Sequence, residues 1–354
     1  MSAELPAVGG VLPCYRELRA GETLHWCSCG LSRTQPLCDG SHRGTALLPL
    51  RHVAPCDAEV LLCTCKRTRT PPFCDGAHNN LPGAKALDDP DSPANRAIPV
   101  VAEDGSGRAW LDGGCYVCRV ESLPRPRLGA LGMAAVIDAG TGAEHQSLFL
   151  LELGAGESSP VLAFAGREVA LLVSAGRGEA TVSGRRFAIA ADAGLCIRPG
   201  ESLALAASAE APLRVFASTG PLAEAPSVLD AMPDDFQSEW PARYVPVDTA
   251  ARQTMGDRFF QMLVDRHAGS QMLTQFIGEI PLSKAMPHRH LYEESLVVLR
   301  GSGWMWTETR KAEVRAGDVI FLPRRQLHSL QCTDPAGMFV AGVIYPGDNP
   351  AINY

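Results

Sequence analysis

From about residue 100 onward, short apolar runs recur between turn-forming residues. SLFLLEL, VALLVSA, ATVSG, RFAIAA, LCIRPG and LRVFAS follow one another, separated by Gly, Pro and Asp. Runs this short and this closely spaced predict the strands of a compact sandwich or barrel. A second series extends from about Phe259 to Tyr345, after an irregular or helical connection, PLAEAPSVLDAMPDDFQSEWPARY. Ahead of both, residues 79–99 (NNLPGAKALDDPDSPANRAIP) are rich in Pro, Asp, Asn and Ala, which predicts a linker. The chain is expected to be mainly β.

The two β series are copies of one another. Setting Gln146 on Gln271 carries Glu168 onto Glu293, Gly176 onto Gly301 and Gly178 onto Gly303, all at an offset of 125 without a gap. A fixed offset across four positions, two of them the glycines of one turn, marks an internal duplication. The expected organisation is a small module at 1–82, a linker at 83–99, a first β domain at 100–222, a connector at 223–250 and a second β domain at 251–354.

Composition narrows the class without naming it. The chain has 354 residues, 46% of them hydrophobic and 6% aromatic, enough for two or three domains. A net charge of −7 provides no basic footprint for nucleic acid. No apolar run approaches the roughly 18 residues that span a bilayer, and the first residues lack the basic flank and apolar core of a secretion signal. The expectation is a soluble, cytoplasmic protein with neither nucleic-acid nor membrane partners.

The candidate chemistry begins in the first module. Residues 27–42 read CSCGLSRTQPLCDGSH and residues 63–78 read CTCKRTRTPPFCDGAH, the same Cys-x-Cys-x8-Cys-x3-His pattern at an offset of 36. Both strings resemble the CDGSH iron-sulfur family, down to the hydroxyls of Ser32 and Thr68 and the prolines Pro36 and Pro72. The resemblance implies two 2Fe-2S clusters, one held by Cys27, Cys29, Cys38 and His42 and the other by Cys63, Cys65, Cys74 and His78. It also implies that tandem copies pack on each other as a pseudo-dimer. An imidazole in place of a thiolate leaves a cluster less negative and couples it to pH. Structural zinc is the alternative for a Cys3His set, although zinc sites usually space their first cysteines more widely. The second copy has Ala77 where the first has Ser41, which removes a hydroxyl but no ligand. Six of the twelve cysteines are left over; Cys115 and Cys118 form a CxxC within a strand-like stretch, where buried thiols are the simpler expectation than a third metal site.

A second constellation lies in the second β copy. PHRHLYEESLVVLRGSG sets His288-x-His290-x3-Glu294-x6-Gly301, and GDVIFLPRRQLH sets Gly317-x5-Pro323-x4-His328. These strings match the two motifs of the cupin superfamily, so the chain resembles a bicupin, with His288, His290, Glu294 and His328 as the implied metal ligands. One departure is Arg325, where the second motif usually has glycine. Imidazole and carboxylate accept iron, manganese, nickel, copper or zinc; Fe(II) is the expected ion. In the first copy the corresponding positions are Ala163, Ala165, Val169 and Ala204. That copy is therefore expected to bind no metal. Glu294, Glu293 and Tyr292 are the candidate catalytic residues, and Tyr292, Trp304, Trp306 and Gln326 the candidate pocket residues. Arg300, Arg310, Arg324 and Arg325 are either solvated or attract an anionic substrate.

Joined in one chain, the two centres suggest an iron-dependent oxygenase acting on a small organic molecule and dioxygen, with the clusters as built-in electron carriers. Such an enzyme needs an external reductase or ferredoxin, and acts as a monomer or a homodimer. The alternatives are a non-oxidative isomerase, decarboxylase or lyase with structural or regulatory clusters, and a sensor or cluster-transfer protein.

Overall fold

The computed structural model describes residues 5–81, 89–255 and 258–347. The chain folds as the apolar runs predict, into strands joined by turns and short 3-10 segments. Among the described residues no helix is long and apolar enough to cross a membrane.

The first module is built on four strands, β1 (Cys14–Leu18), β2 (Thr23–Trp26), β3 (Leu50–Val53) and β4 (Ala58–Leu62). β1 pairs with β4 and β2 with β3. The register obeys the sequence repeat: shifting the pair Cys14↔Leu62 by the internal offset turns it into Leu50↔Trp26. Each copy thus lends one strand to the other, the pseudo-dimer implied by the resemblance. Leu18, Leu24, Trp26, Ala54 and Leu62 form the small core, and Trp26 Nε1 donates to the Cys63 carbonyl at 2.7 Å, which ties the copies together.

The two β series form two barrels of opposed sheets. In the second, Gln253–Met255, Arg258–Val264, Thr274–Ile280, Met338–Tyr345, Glu293–Arg300 and Val319–Leu322 lie side by side in one sheet. Lys311–Arg315, Ser302–Trp306 and Ser329–Cys332 form the sheet opposite. This larger sheet is extended by β5 (Arg108–Trp110) and β6 (Tyr116–Cys118), with Phe321 paired to Tyr116. The reverse exchange places Tyr244–Pro246 beside Ala193–Ile197 of the first barrel. The boundaries expected at 100–222 and 223–250 are corrected accordingly. β5 and β6 complete the sheet of the second barrel, and part of the connector completes that of the first.

Alternation explains the long apolar strands. In Ser147–Leu153, Phe149, Leu151 and Leu153 fill the first barrel while Leu148 and Leu150 face the other barrel. A strand buried on both faces reads as a continuous hydrophobic run. The same rule separates the leftover CxxC: Cys115 lies in the core of the second barrel, Cys118 in the apolar layer between barrels, and both are fully buried. They share no site, and burial pushes the Cys118 thiol up to about 11.

Candidate metal centre and iron-sulfur cradles

The candidate metal ligands of the second barrel come from two segments that meet edge to edge. His288 and His328 exchange backbone hydrogen bonds, each N–H donating to the other's carbonyl at 2.9 Å. His290 follows on the same segment, and the three imidazoles bring one donor atom each to within 4.8 Å of one another. The Nδ1 atoms of His288 and His328 sit 2.7 and 2.8 Å from the carbonyls of Met286 and Gln326. A ring nitrogen that donates to a carbonyl leaves Nε2 as the lone pair, the state a metal requires. Burial lowers the proton affinity of both rings, holding His288 well below the ordinary histidine range and His328 at about 3. Glu294 is the second residue of the strand Glu293–Arg300, and its carboxylate lies 2.9 Å from His290 Nδ1. Three imidazoles with a neighbouring carboxylate fit a divalent ion that keeps open positions.

Above these donors lies a cavity of about 80 Å³, room for a handful of water molecules. Its walls are apolar, formed by Phe260, Phe276, Leu296, Met305, Leu330 and Val340. Arg258 and Glu279 bring charge to it. Neither carries a motif, and a lone arginine beside RFFQMLV gives no signal in the sequence. Only the topology brings it to the site.

The remaining candidates separate. Glu293 points the opposite way from Glu294, as neighbours on a strand must. Its carboxylate accepts from the backbone N–H groups of Glu144, His145 and Gln146 at 2.7 to 3.0 Å in the other barrel. It is an anchor between barrels, which corrects its candidacy as a base. Tyr292 is buried and stacks on His290, ring centroids 4.5 Å apart at 25°, so it supports a metal-binding ring and does not line the cavity. Trp304 and Trp306 alternate with Met305 along their strand, and it is Met305 that lines the cavity with the three histidines. Lys311 lies over both indoles, 4.2 Å from Trp306. Gln326 serves through its backbone carbonyl, held against His328, and lines no part of the cavity.

The arginines are also accounted for. Arg300 pairs with Asp192 and Arg310 with Asp112. Arg324 reaches Glu59 at 2.8 Å, and Arg325 reaches the Tyr15 hydroxyl at 3.0 Å. None of the four lines the metal-binding cavity. In the first barrel, Leu162, Val169, Leu171, Val182 and Leu203 are packed in the interior.

The two cradles have the same construction. Cys27 and Cys29 place their sulfurs 3.7 Å apart, Cys63 and Cys65 theirs 3.5 Å apart. The Sγ of Cys38 is 3.2 Å from His42 Nδ1, and that of Cys74 is 3.4 Å from His78 Nδ1. The hydroxyls of Ser32 and Thr68 donate to the carbonyls of Leu37 and Phe73, and Asp39 and Asp75 accept from the N–H groups of Arg33 and Arg69. These bonds close the loop that returns each histidine to its cysteine. Gly40 and Gly76 take φ of 94° and 78°, a conformation open to glycine. The copies differ in exposure, since His78 is 2% exposed whereas His42 is half-buried.

Comparison with known proteins agrees with both centres. Residues 279–342 match the family Cupin_2, described as a cupin domain. A stretch of 51 residues is 49% identical to the CDGSH iron-sulfur domain-containing protein 3, mitochondrial, of Mus musculus, covering 14% of this chain and 37% of that protein. The Homo sapiens protein of the same name is 52% identical over 44 residues, 12% of this chain and 35% of that protein. The match thus spans little more than a third of these relatives. Among solved structures, protein Ylba from E. coli is 14% identical with a TM-score of 0.53, covering 68% of this chain and 95% of that one. The putative glyoxylate induced protein from Pseudomonas aeruginosa is 17% identical with a TM-score of 0.53, covering 70% and 94%. The oxalate decarboxylase of Lactobacillus farciminis is 12% identical with a TM-score of 0.51, covering 65% and 86%. At these identities the likeness is one of fold. The chain thus joins sequence similar to CDGSH iron-sulfur domains to a segment that matches a cupin domain and carries three histidines placed to hold a metal ion.

Proposed function

We propose that this protein is a non-haem iron-dependent oxygenase of a small organic substrate, with two 2Fe-2S clusters as its own electron carriers. The observation that carries the reading is the convergence of three imidazoles beneath a small apolar cavity, with Glu294 beside His290 and in the cavity wall. A ferrous ion held there would supply one-electron chemistry toward dioxygen, and the clusters would store the electrons it needs. The residues of the chain do the rest. Phe260, Phe276 and Met305 shape the space beside the donors and exclude water. Arg258, with its fixed positive charge, favours a substrate that carries a carboxylate or an enolate. The carbonyls of Met286 and Gln326 hold the proton on Nδ1 of His288 and His328.

The cradles support a dinuclear cluster over zinc. Two thiolates on one tetrahedral metal lie about 3.8 Å apart, close to the spacing within each cysteine pair. A single zinc would gather all four donors. Among the described residues, the only group of three or more donors within 4.8 Å is that of the cupin histidines. The donors of each cradle lie in pairs, an arrangement that favours a dinuclear site over a single zinc.

A test is anaerobic purification with metal analysis, reduction of the clusters, and admission of oxygen with candidate carboxylate substrates. Cluster oxidation coupled to oxygen uptake and product is expected. Clusters that remain reduced while substrate and oxygen turn over would refute the electron-feeding role. A second reading, a non-oxidative decarboxylase, isomerase or lyase, is favoured by the apolar cavity with its single arginine and by the oxalate decarboxylase among the fold neighbours. It predicts full turnover without oxygen.

A further inference from the structure

Arg325 has φ of 69°, the left-handed region, at the position where the cupin motif has glycine. A side chain there costs on the order of 1 kcal/mol, so what it contacts matters. The guanidinium lies 3.0 Å from the Tyr15 hydroxyl and 5.1 Å from its ring centroid, and 3.6 Å from Glu17. Its own N–H donates to the carbonyl of His290 at 2.7 Å. Arg324 beside it donates to Leu291 O and to Glu59. Two consecutive residues therefore hold the metal-binding segment by one end and the iron-sulfur module by the other.

The contacts these arginines make with the iron-sulfur module all land on β1 and β4. β4 ends at Leu62, one residue before Cys63, so the second cradle hangs directly from the docked strand. A second contact continues this line. Thr64, between the first two cysteines of that cradle, donates to the Leu12 carbonyl at 2.6 Å. Leu12 lines a seam cavity that Pro287, Leu327 and His328 line from the cupin side. The first cradle extends instead from β2 and β3.

We propose that Arg324 and Arg325 are positioning residues that seat the iron-sulfur module in one orientation, making the second cradle (Cys63, Cys65, Cys74, His78) the one nearest the cupin metal. The inference rests on the cluster and metal assignments, but not on oxygen chemistry. It concerns distance, and a magnetic measurement reads distance.

The full-length protein, reconstituted with clusters, is loaded at the cupin with Mn(II) or with diamagnetic Zn(II), and the EPR saturation of each reduced cluster is compared. His42→Cys and His78→Cys, which shift one signal at a time, assign the two clusters. Mn(II) is expected to speed relaxation of the second cluster several-fold more than that of the first. Arg324→Glu with Arg325→Gly is expected to abolish the difference. The charge swap of Arg324→Glu with Glu59→Arg, Arg325 kept, is expected to restore it. An equal or larger effect on the first cluster overturns the proposal, as does an effect that survives loss of both arginines. Failure of the cradles to take up iron or of the cupin to take up Mn(II), seen by metal analysis, overturns the assignments beneath it.

Discussion

Glu168 and Glu293 occupy equivalent places in the two barrels, and each buries its carboxylate against the backbone of the other barrel. Glu168 accepts from the N–H groups of Gln271, Met272 and Leu273, and from the Ser270 hydroxyl. Glu293 accepts from Glu144, His145 and Gln146. At 1% and 2% exposure, either charge would be costly without those donors. Removing one carboxylate leaves three backbone N–H groups at the barrel interface without their acceptor, a loss of about 3 kcal/mol. Glu293→Ala is therefore expected to lower the thermal unfolding temperature with the metal retained. Glu294→Ala is expected to lose metal with little change in unfolding of the metal-free protein. Calorimetry with metal analysis separates the neighbours, and metal loss in Glu293→Ala at unchanged stability would contradict the assignment.

The cavity assignments predict a contrast on one strand. Met305→Trp adds bulk beside the donors and is expected to abolish substrate binding while metal content stays near full. Trp304→Phe and Trp306→Phe, whose side chains do not line this cavity, are expected to change substrate binding far less than Met305→Trp. Substrate titration of the metal-loaded variants provides the check.

Tyr292 acts through the ring it stacks on. Tyr292→Phe keeps the stacking partner and is expected to retain metal affinity, whereas Tyr292→Ala frees the His290 ring and is expected to weaken it roughly 10-fold. A loss of turnover in Tyr292→Phe at unchanged metal affinity would instead support a catalytic hydroxyl.

The cradles should differ in acid. Burial holds His78 below the ordinary histidine range, so it stays neutral to lower pH than a solvated imidazole. Protons compete with metal for the ring nitrogen, and His42 is the more accessible of the two. Cluster absorbance is expected to fall in two phases as pH decreases, the first cradle emptying first. In His42→Cys the early phase is expected to vanish. A single phase in the wild-type protein would show that burial of His78 confers no protection.

Periodicity in the sequence reveals whatever repeats in it, such as the offsets that predicted both duplications and the two ligand strings. It is silent where the answer depends on a partner strand. Glu293 and Glu294 are adjacent and chemically alike, and only the neighbouring barrel decides which faces the cavity. Trp304 and Trp306 flank Met305, so hydrophobicity alternates on neither face and cannot say which is interior. Residues 287–292 are mostly irregular, so strand alternation does not set where His288 and His290 point relative to Glu294. Arg258 arrives by sheet order alone.

Reciprocal strand exchange occurs twice in this chain, once in each module, and it has a consequence for inheritance. When two identical subunits exchange strands, a ligand lost by mutation is lost from both sites at once. With both partners encoded in tandem, one can lose its donors while still lending the strand that its twin requires. In the first barrel Ala163, Ala165 and Val169 stand where the second has His288, His290 and Glu294, and the paired strands set Leu203, where the sequence suggested Ala204, in the place of His328.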